Sequence, residues 1–148
     1  MKVAIGSDHA GFNLKKEIIV MLEYKGHEVL DCGCFSPDSV DYPDIAEAVA
    51  DEVLKSGSPG IVICGTGIGI SMAANKIPGI RAALCGEPFS ARMAREHNDA
   101  NILAMGARII GIGLAIEIVK TFLETPFAGD RHLLRINKIT SIEERYQK

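Results

Sequence analysis

The chain has no tryptophan and only 5% aromatic residues. It therefore lacks the stacking platforms on which single-strand nucleic-acid binders rely. Neither sign of charge dominates: 16 Lys+Arg stand against 19 Asp+Glu, for a net charge of −3. No overall basic field is present to attract nucleic acid or an anionic membrane, although a local basic pocket remains open. No apolar run reaches the roughly 18 residues of a membrane span. The opening Met1-Lys2-Val3-Ala4-Ile5-Gly6 turns polar too soon for a signal peptide, so the expectation is a cytoplasmic protein. Four cysteines without a secretion signal argue against a disulfide framework. Cys32 and Cys34 form a C-x-C with no second pair at zinc-finger spacing, and His27 alone does not complete a ligand set. No metal and no other cofactor is expected.

What is present is an alternation of apolar runs and amphipathic stretches over 148 residues, which fits one domain spanning 1–148. Val3-Ala4-Ile5 ends in Gly6-Ser7-Asp8-His9-Ala10-Gly11, and a helical pattern follows with Leu14, Ile18, Met21 and Leu22 on one side. His27 to Asp31 reads as a second strand, and residues 32–42 read as a loop. Pro43 suits a first helical turn, where its missing N–H is unpaired anyway. Ile45, Val49 and Val53 then recur every four residues, as do Ala46, Ala50 and Leu54, which marks one apolar face. Gly60–Cys64 is a strand of buried type, and a helix opens after it toward Asn75. Ile80–Leu84 reads as a fourth strand, Pro88 opens a helix, and Ile102–Met105 reads as a fifth strand. Leu114, Ile118 and Phe122 mark a helix that stops before Pro126. Phe127–Lys148 is a tail with its own helical piece, in which Thr140 and Glu143 have the spacing of a capping box. Five short strands alternating with helices predict a three-layer, doubly wound, Rossmann-like α/β fold with a parallel sheet, strand order 2-1-3-4-5 and a C-terminal helical tail. Ligands in such folds gather beyond the carboxyl ends of the strands.

That rule sorts the candidates. Cys64-Gly65-Thr66-Gly67-Ile68-Gly69 ends the central strand. Its glycines let backbone N–H groups turn toward a ligand and hold a phosphate or a developing oxyanion. The same partial charge favours a thiolate at Cys64. The plainer reading is a small buried cysteine in a tight turn. Cys85 also ends a strand, but Gly86-Glu87-Pro88 offers it fewer N–H groups and a negative charge. No Lys-Ser/Thr pair closes the loop as in a Walker A motif. Asp31 sits where a ribose-binding acid of a dinucleotide site would, but the first turn lacks G-x-G-x-x-G. Asp8 and His9 end strand 1. They are either a helix N-cap and a surface residue, or a cleft pair in which His9 meets phosphate and Asp8 meets sugar hydroxyls. His27 begins its strand and is read as structural or exposed. His97-Asn98-Asp99 precedes strand 5, on the opposite edge. It is either a helix-ending turn or part of a cleft on a neighbouring chain, as a twofold dimer would arrange. Arg131 and Arg135 share a helical face and suit bidentate phosphate binding, and Arg108 could join them. Surface solvation is the alternative for each. His132 receives no role.

As a set these pieces resemble the family of type B ribose-5-phosphate isomerases and their galactose-6-phosphate isomerase relatives. The matching segments are Gly6–Gly11, Asp41-Tyr42-Pro43, Cys64–Ser71, Ala74-Asn75-Lys76, Glu87-Pro88, His97–Asn101 and the Arg131/Arg135 pair, in family order along the chain. The resemblance implies reversible aldose–ketose isomerisation of a five-carbon sugar phosphate, with no cofactor. It implies Cys64 as the base between C1 and C2, His97 as the acid that opens the furanose ring, and Thr66 with the loop amides Gly65, Gly67, Ile68 and Gly69 around the enediolate. It implies Asp8, His9, Asn98, Arg108, Arg131 and Arg135 as substrate contacts, and homodimers or dimers of dimers with shared clefts. Some family members use a glutamate at the position of Ile70 in place of the cysteine; this chain carries the thiol. The competing reading is a non-catalytic phosphate-ligand module, which would not depend on Cys64.

Overall fold

The computed structural model describes residues 1–147; Lys148, the last residue of the expected tail, lies outside them. Five parallel strands form one sheet: β1 (Lys2–Ser7), β2 (Glu28–Asp31), β3 (Gly60–Cys64), β4 (Ala82–Leu84) and β5 (Ile102–Gly106). The helices are α1 (Phe12–Tyr24), α2 (Tyr42–Ser56), α3 (Ile68–Ala74), α4 (Pro88–Glu96), α5 (Ile112–Glu124) and α6 (Arg131–Tyr146), with a 3-10 turn at His9–Gly11. The expected alternation holds. Its physical basis is visible in β3, whose residues alternate between the two faces. Ile61 and Ile63 pack with Ile18 and Leu22 of α1 and Ile118 and Phe122 of α5, while Val62 and Cys64 pack with Val49 and Val53 of α2 and Ile70 of α3. Helices thus cover both faces, and burial of a side chain such as Ile18 or Phe122 contributes about 1.5–3 kcal/mol. Among the described residues, no helix is long and apolar enough to cross a membrane.

Two expectations are corrected. The strand order is β2-β1-β3-β5-β4, not 2-1-3-4-5. β5 is buried along its whole length, whereas the three residues of β4 are half-buried or exposed. A strand that needs cover on both faces belongs inside the sheet, and the short one takes the edge. The swap places Gly106 opposite Cys64. Within the tail, in turn, Arg131–Tyr146 form one continuous helix with no cap at Thr140. The Thr140 hydroxyl bonds back to the Ile136 carbonyl at 3.2 Å, and the Glu143 carboxylate accepts the Gly79 N–H at 3.1–3.2 Å. Both residues of the apparent capping box lie in a helix interior.

Candidate active site

At the carboxyl edge of the sheet, three strand ends converge. The Asp8 N–H donates to the Ile63 carbonyl (3.1 Å), the Ala107 N–H to the Cys64 carbonyl (2.9 Å), and the Arg108 N–H to the Gly65 carbonyl (2.9 Å). These bonds tie the ends of β1, β3 and β5 into one floor. Asp8 is buried, and its Oδ1 accepts the N–H groups of Ala10 (3.0 Å) and Gly11 (3.2 Å). It is the helix cap of the plainer reading, placed at the cleft edge of the other. His9 is half-buried, and its Nδ1 accepts the Val40 N–H at 3.2 Å. A neutral His9 ring therefore carries its proton on Nε2, which stays available to donate.

The peptide N–H of Gly67 donates to Cys64 Sγ at 3.1 Å. The loop can curl back on the sulfur because Gly67 has φ +78°, and a Cβ there would lie 2.8 Å from the Met105 carbonyl carbon. The Ile68 N–H donates to Thr66 Oγ1 at 3.3 Å, and Thr66 itself is exposed. Gly69 lies beneath the Tyr42 ring, where a Cβ would meet the phenol at 2.6–2.9 Å. The Arg108 guanidinium lies against Gly65, with Nη1 only 3.2 Å from the position a Cβ there would take. Cys64 is 5% exposed and forms the floor of this edge; the adjoining apolar hollow of about 340 Å³ is lined by Thr66, Gly106, Leu84 and Ile109, not by the sulfur. At Cys85, burial, helped by the Glu87 charge, pushes the thiol up to about 11. All four cysteines are free.

His97, Asn98, Arg131 and Arg135 sit elsewhere. His97 ends α4 and stacks on the His132 ring, with centroids 4.2 Å apart and planes at 11°. The Ala128 N–H donates to the Glu96 carbonyl at 3.0 Å and brings the start of α6 to this turn. Arg131 and Arg135 are exposed on that first part of α6. Burial pushes the His132 ring below its usual value, as do the neighbouring charges of His97, Arg131 and Arg135. Asp99, at φ +44°, is clamped by Arg81 (3.3 Å) and Arg95 (3.0 Å), and the exposed Asn98 presents its carbonyl to Arg81 Nε at 3.1 Å. This cluster lies at the amino edge of the sheet, below the start of β5. A five-residue strand separates it from the Cys64 loop, a span of roughly 15 Å. The expected grouping of Arg108 with Arg131 and Arg135 thus fails within one chain: Arg108 belongs to the Cys64 edge. His27, at the start of its strand, contacts only the N-terminal amine (3.3 Å) among side-chain hydrogen bonds of the described residues.

The family model for ribose/galactose isomerases matches residues 3–139. The chain belongs to that family. It is 50% identical over 145 residues to ribose-5-phosphate isomerase B of Escherichia coli, an alignment covering 97% of each chain. It superposes on ribose-5-phosphate isomerase B of Clostridium thermocellum with a TM-score of 0.97 at 55% identity, covering 99% of this chain and 100% of that one. The ribose 5-phosphate isomerase of Thermotoga maritima superposes with a TM-score of 0.93 at 54% identity, covering 95% of this chain and 97% of that one. In this member of the family, three side chains stand out to which the sequence reading assigned no role. Tyr42 roofs the glycine loop. His132 backs His97. Lys15, a charged residue on the stripe Lys15–Ile18–Leu22, is wholly buried; a charge on an apolar helix face is the signal that could have found it. Among the described residues, no group of three or more His, Cys, Asp or Glu side chains gathers as a metal site.

Proposed function

We propose that this isomerase interconverts ribose 5-phosphate and ribulose 5-phosphate through a cis-enediolate, with Cys64 as the base. The hydrogen bond from the Gly67 N–H to Cys64 Sγ, in a loop that closes on Arg108, is the observation that carries the reading. A proton alpha to a carbonyl is weakly acidic, so its removal needs a base and a group that holds the charge left on oxygen. Cys64 takes the proton from C2 as the enediolate forms. The sulfur then returns it to C1 while the hydroxyl proton moves from O2 to O1. Thr66 and the amides of Gly65–Gly69 hold the two oxygens. Asp8 and Asn98 contact hydroxyls. His9, with its free Nε2–H, and Arg108, Arg131 and Arg135 take the phosphate. Binding at that distant group orients the reacting carbons.

His97 donates the proton that opens the furanose ring, and it does so from the partner subunit of a homodimer. The roughly 15 Å between the two clusters leaves no room for a single-chain site. Each cluster is rimmed by uncovered apolar surface. Ile68, Leu84 and Ile109 stand exposed beside the Cys64 loop. Ile139, Ile142 and Asn98 line a cavity of about 760 Å³ at the other edge. A second copy, set antiparallel about a twofold axis, covers both and joins one chain's Cys64 loop to the other's His97, Asn98 and arginines. The test is an assay of the purified protein on ribose 5-phosphate against galactose 6-phosphate and allose 6-phosphate, with and without chelator. Turnover of ribose 5-phosphate unaffected by chelation is expected. Preference for a six-carbon phosphate, or loss of activity on chelation, overturns the reading.

A further inference from the structure

Lys15 is wholly buried, yet no part of the chemistry above uses it. Its Nζ donates to Asp31 Oδ1 at 2.7 Å and to the Cys34 carbonyl, and the rings of Phe12 and Phe35 face it at 5.7 and 5.5 Å. Asp31 Oδ1 also accepts the Gly33 N–H at 2.9 Å. The same turn is laced to the end of β1, because the Ser7 N–H donates to the Gly33 carbonyl and the Cys34 N–H to the Ser7 carbonyl, both at 2.7 Å. The ammonium is thus the pin at the root of the 32–41 loop. Beyond that root, Ser36 Oγ meets Asp38 at 3.2 Å to close a tight turn around Pro37, and the loop comes back to place the Val40 N–H on His9 Nδ1. Replacing a buried ion pair by apolar side chains of similar volume is often neutral or stabilising, so stability alone gives weak grounds for a buried lysine here.

We infer that Lys15 is a positioning residue for phosphate recognition: it fixes the root of the loop whose far end sets the His9 tautomer and leaves Nε2–H facing the substrate. The inference rests on the reading that His9 binds the phosphate of a sugar phosphate. His9 is one of several phosphate contacts on that reading, so the arginines still orient the reacting carbons when its bond is weakened, and the loss shows mainly in KM.

The test measures KM and kcat for ribose 5-phosphate, together with the ¹⁵N histidine spectrum of the free protein. In the wild type His9 is expected as the Nε2–H tautomer. In Lys15→Met, KM rises about tenfold with kcat within about twofold, and the His9 resonances move toward a mixture of tautomers. Val40→Pro, which removes the donor while keeping Lys15, gives the same pattern. Asp31→Asn, at a partly exposed partner of the ammonium, gives a smaller rise in KM and carries the test should Lys15→Met not fold. A folded Lys15→Met, or Asp31→Asn in its place, with wild-type KM and an unaltered His9 spectrum overturns the inference. Because the tautomer is read without turnover, a wild-type protein inactive on ribose 5-phosphate sinks the functional proposal separately from the positioning role.

Discussion

If Cys64 and His97 meet only across two chains, then two inactive variants should repair one another. Consider Cys64→Ala and His97→Asn. Each alone removes one member of every site in its homodimer. General acid–base catalysis contributes typically 10²–10⁴-fold, so each is expected to lose at least about two orders of magnitude in kcat. In a heterodimer of the two, one site gathers both lesions and the other gathers none. Its other contacts are native, with the Gly65–Gly69 loop and Arg108 from one chain and Asn98, Arg131 and Arg135 from the other. Heterodimers isolated through two different affinity tags after co-expression should therefore show about half the wild-type kcat per dimer, with wild-type KM. The opposite arrangement, with both residues acting inside one chain, leaves two damaged sites in every heterodimer and no recovery. A purified heterodimer no more active than its parents refutes the shared site, and with it the role given to His97. The assay needs only that neither substitution disturbs folding. His97 is half-buried at a helix end, and Cys64→Ala removes one sulfur from a floor otherwise built of backbone hydrogen bonds.

Cys64→Ala should keep its affinity for a sugar phosphate while losing turnover; retained turnover would mean another group is the base. Gly67→Ala should lower stability by about 1–3 kcal/mol in chemical denaturation, because it forces φ +78° on a residue with a side chain and drives a Cβ toward the Met105 carbonyl; wild-type stability would contradict the close approach. Iodoacetamide at pH 8 should modify Cys64 before Cys85, since a thiol at about 11 is ionised to only about one part in a thousand there; peptide mapping with the reverse order refutes this. The folded protein holds the His132 ring neutral below its usual 6.5. The unfolded chain then binds more protons between that value and the lower folded one, so stability should fall as pH drops through the window, and His132→Asn should flatten the fall in urea titrations. A steeper fall in the variant reverses the sign and defeats the argument.

The layered fold is legible in the sequence because every strand but β2, which is Glu28-Val29-Leu30-Asp31, carries a short apolar run, and the long helices repeat every three to four residues. The order of β4 and β5 is decided by something finer, the difference between Ala82-Ala83-Leu84 and Ile102-Leu103-Ala104-Met105-Gly106. Only the second is apolar and long enough to be covered on both faces. The supposed cap at Thr140 shows the limit of spacing rules: a threonine and a glutamate three residues apart also occur inside helices, where the hydroxyl bonds backward and the carboxylate finds a distant N–H. Lys15 escapes notice for a related reason. Its spacing from Ile18 and Leu22 puts it on the apolar face, but what makes burial of a charge tolerable there, Asp31 and the Cys34 carbonyl, stands 16 and 19 residues further on.

The site itself follows a simpler logic. The rule that ligands gather at the carboxyl edge selects Asp8, His9, Cys64 and Arg108, and the structure brings these to one floor. The same rule rejects His97, and the structure agrees, since His97 lies a strand's length away with Asn98, Arg131 and Arg135. A rule about single sheets therefore divides the candidate residues into two groups, each chemically incomplete. The first has a sulfur, a glycine loop and one guanidinium, and on the proposed reading its imidazole, His9, is taken up by the phosphate, which leaves no acid for ring opening; the other has two imidazoles and two guanidiniums but no base near a nest of N–H groups. On the proposed reading, the three arginines and the acid–base pair come together when the two edges of different chains face each other. Cutting the exposed apolar contact should then abolish turnover by pulling the halves apart. Ile109→Glu, on a side chain 68% exposed, places a charge in that contact without touching the core. Its expected result is a folded monomer with native circular dichroism and no measurable isomerisation; a fully active monomer would show that one chain suffices.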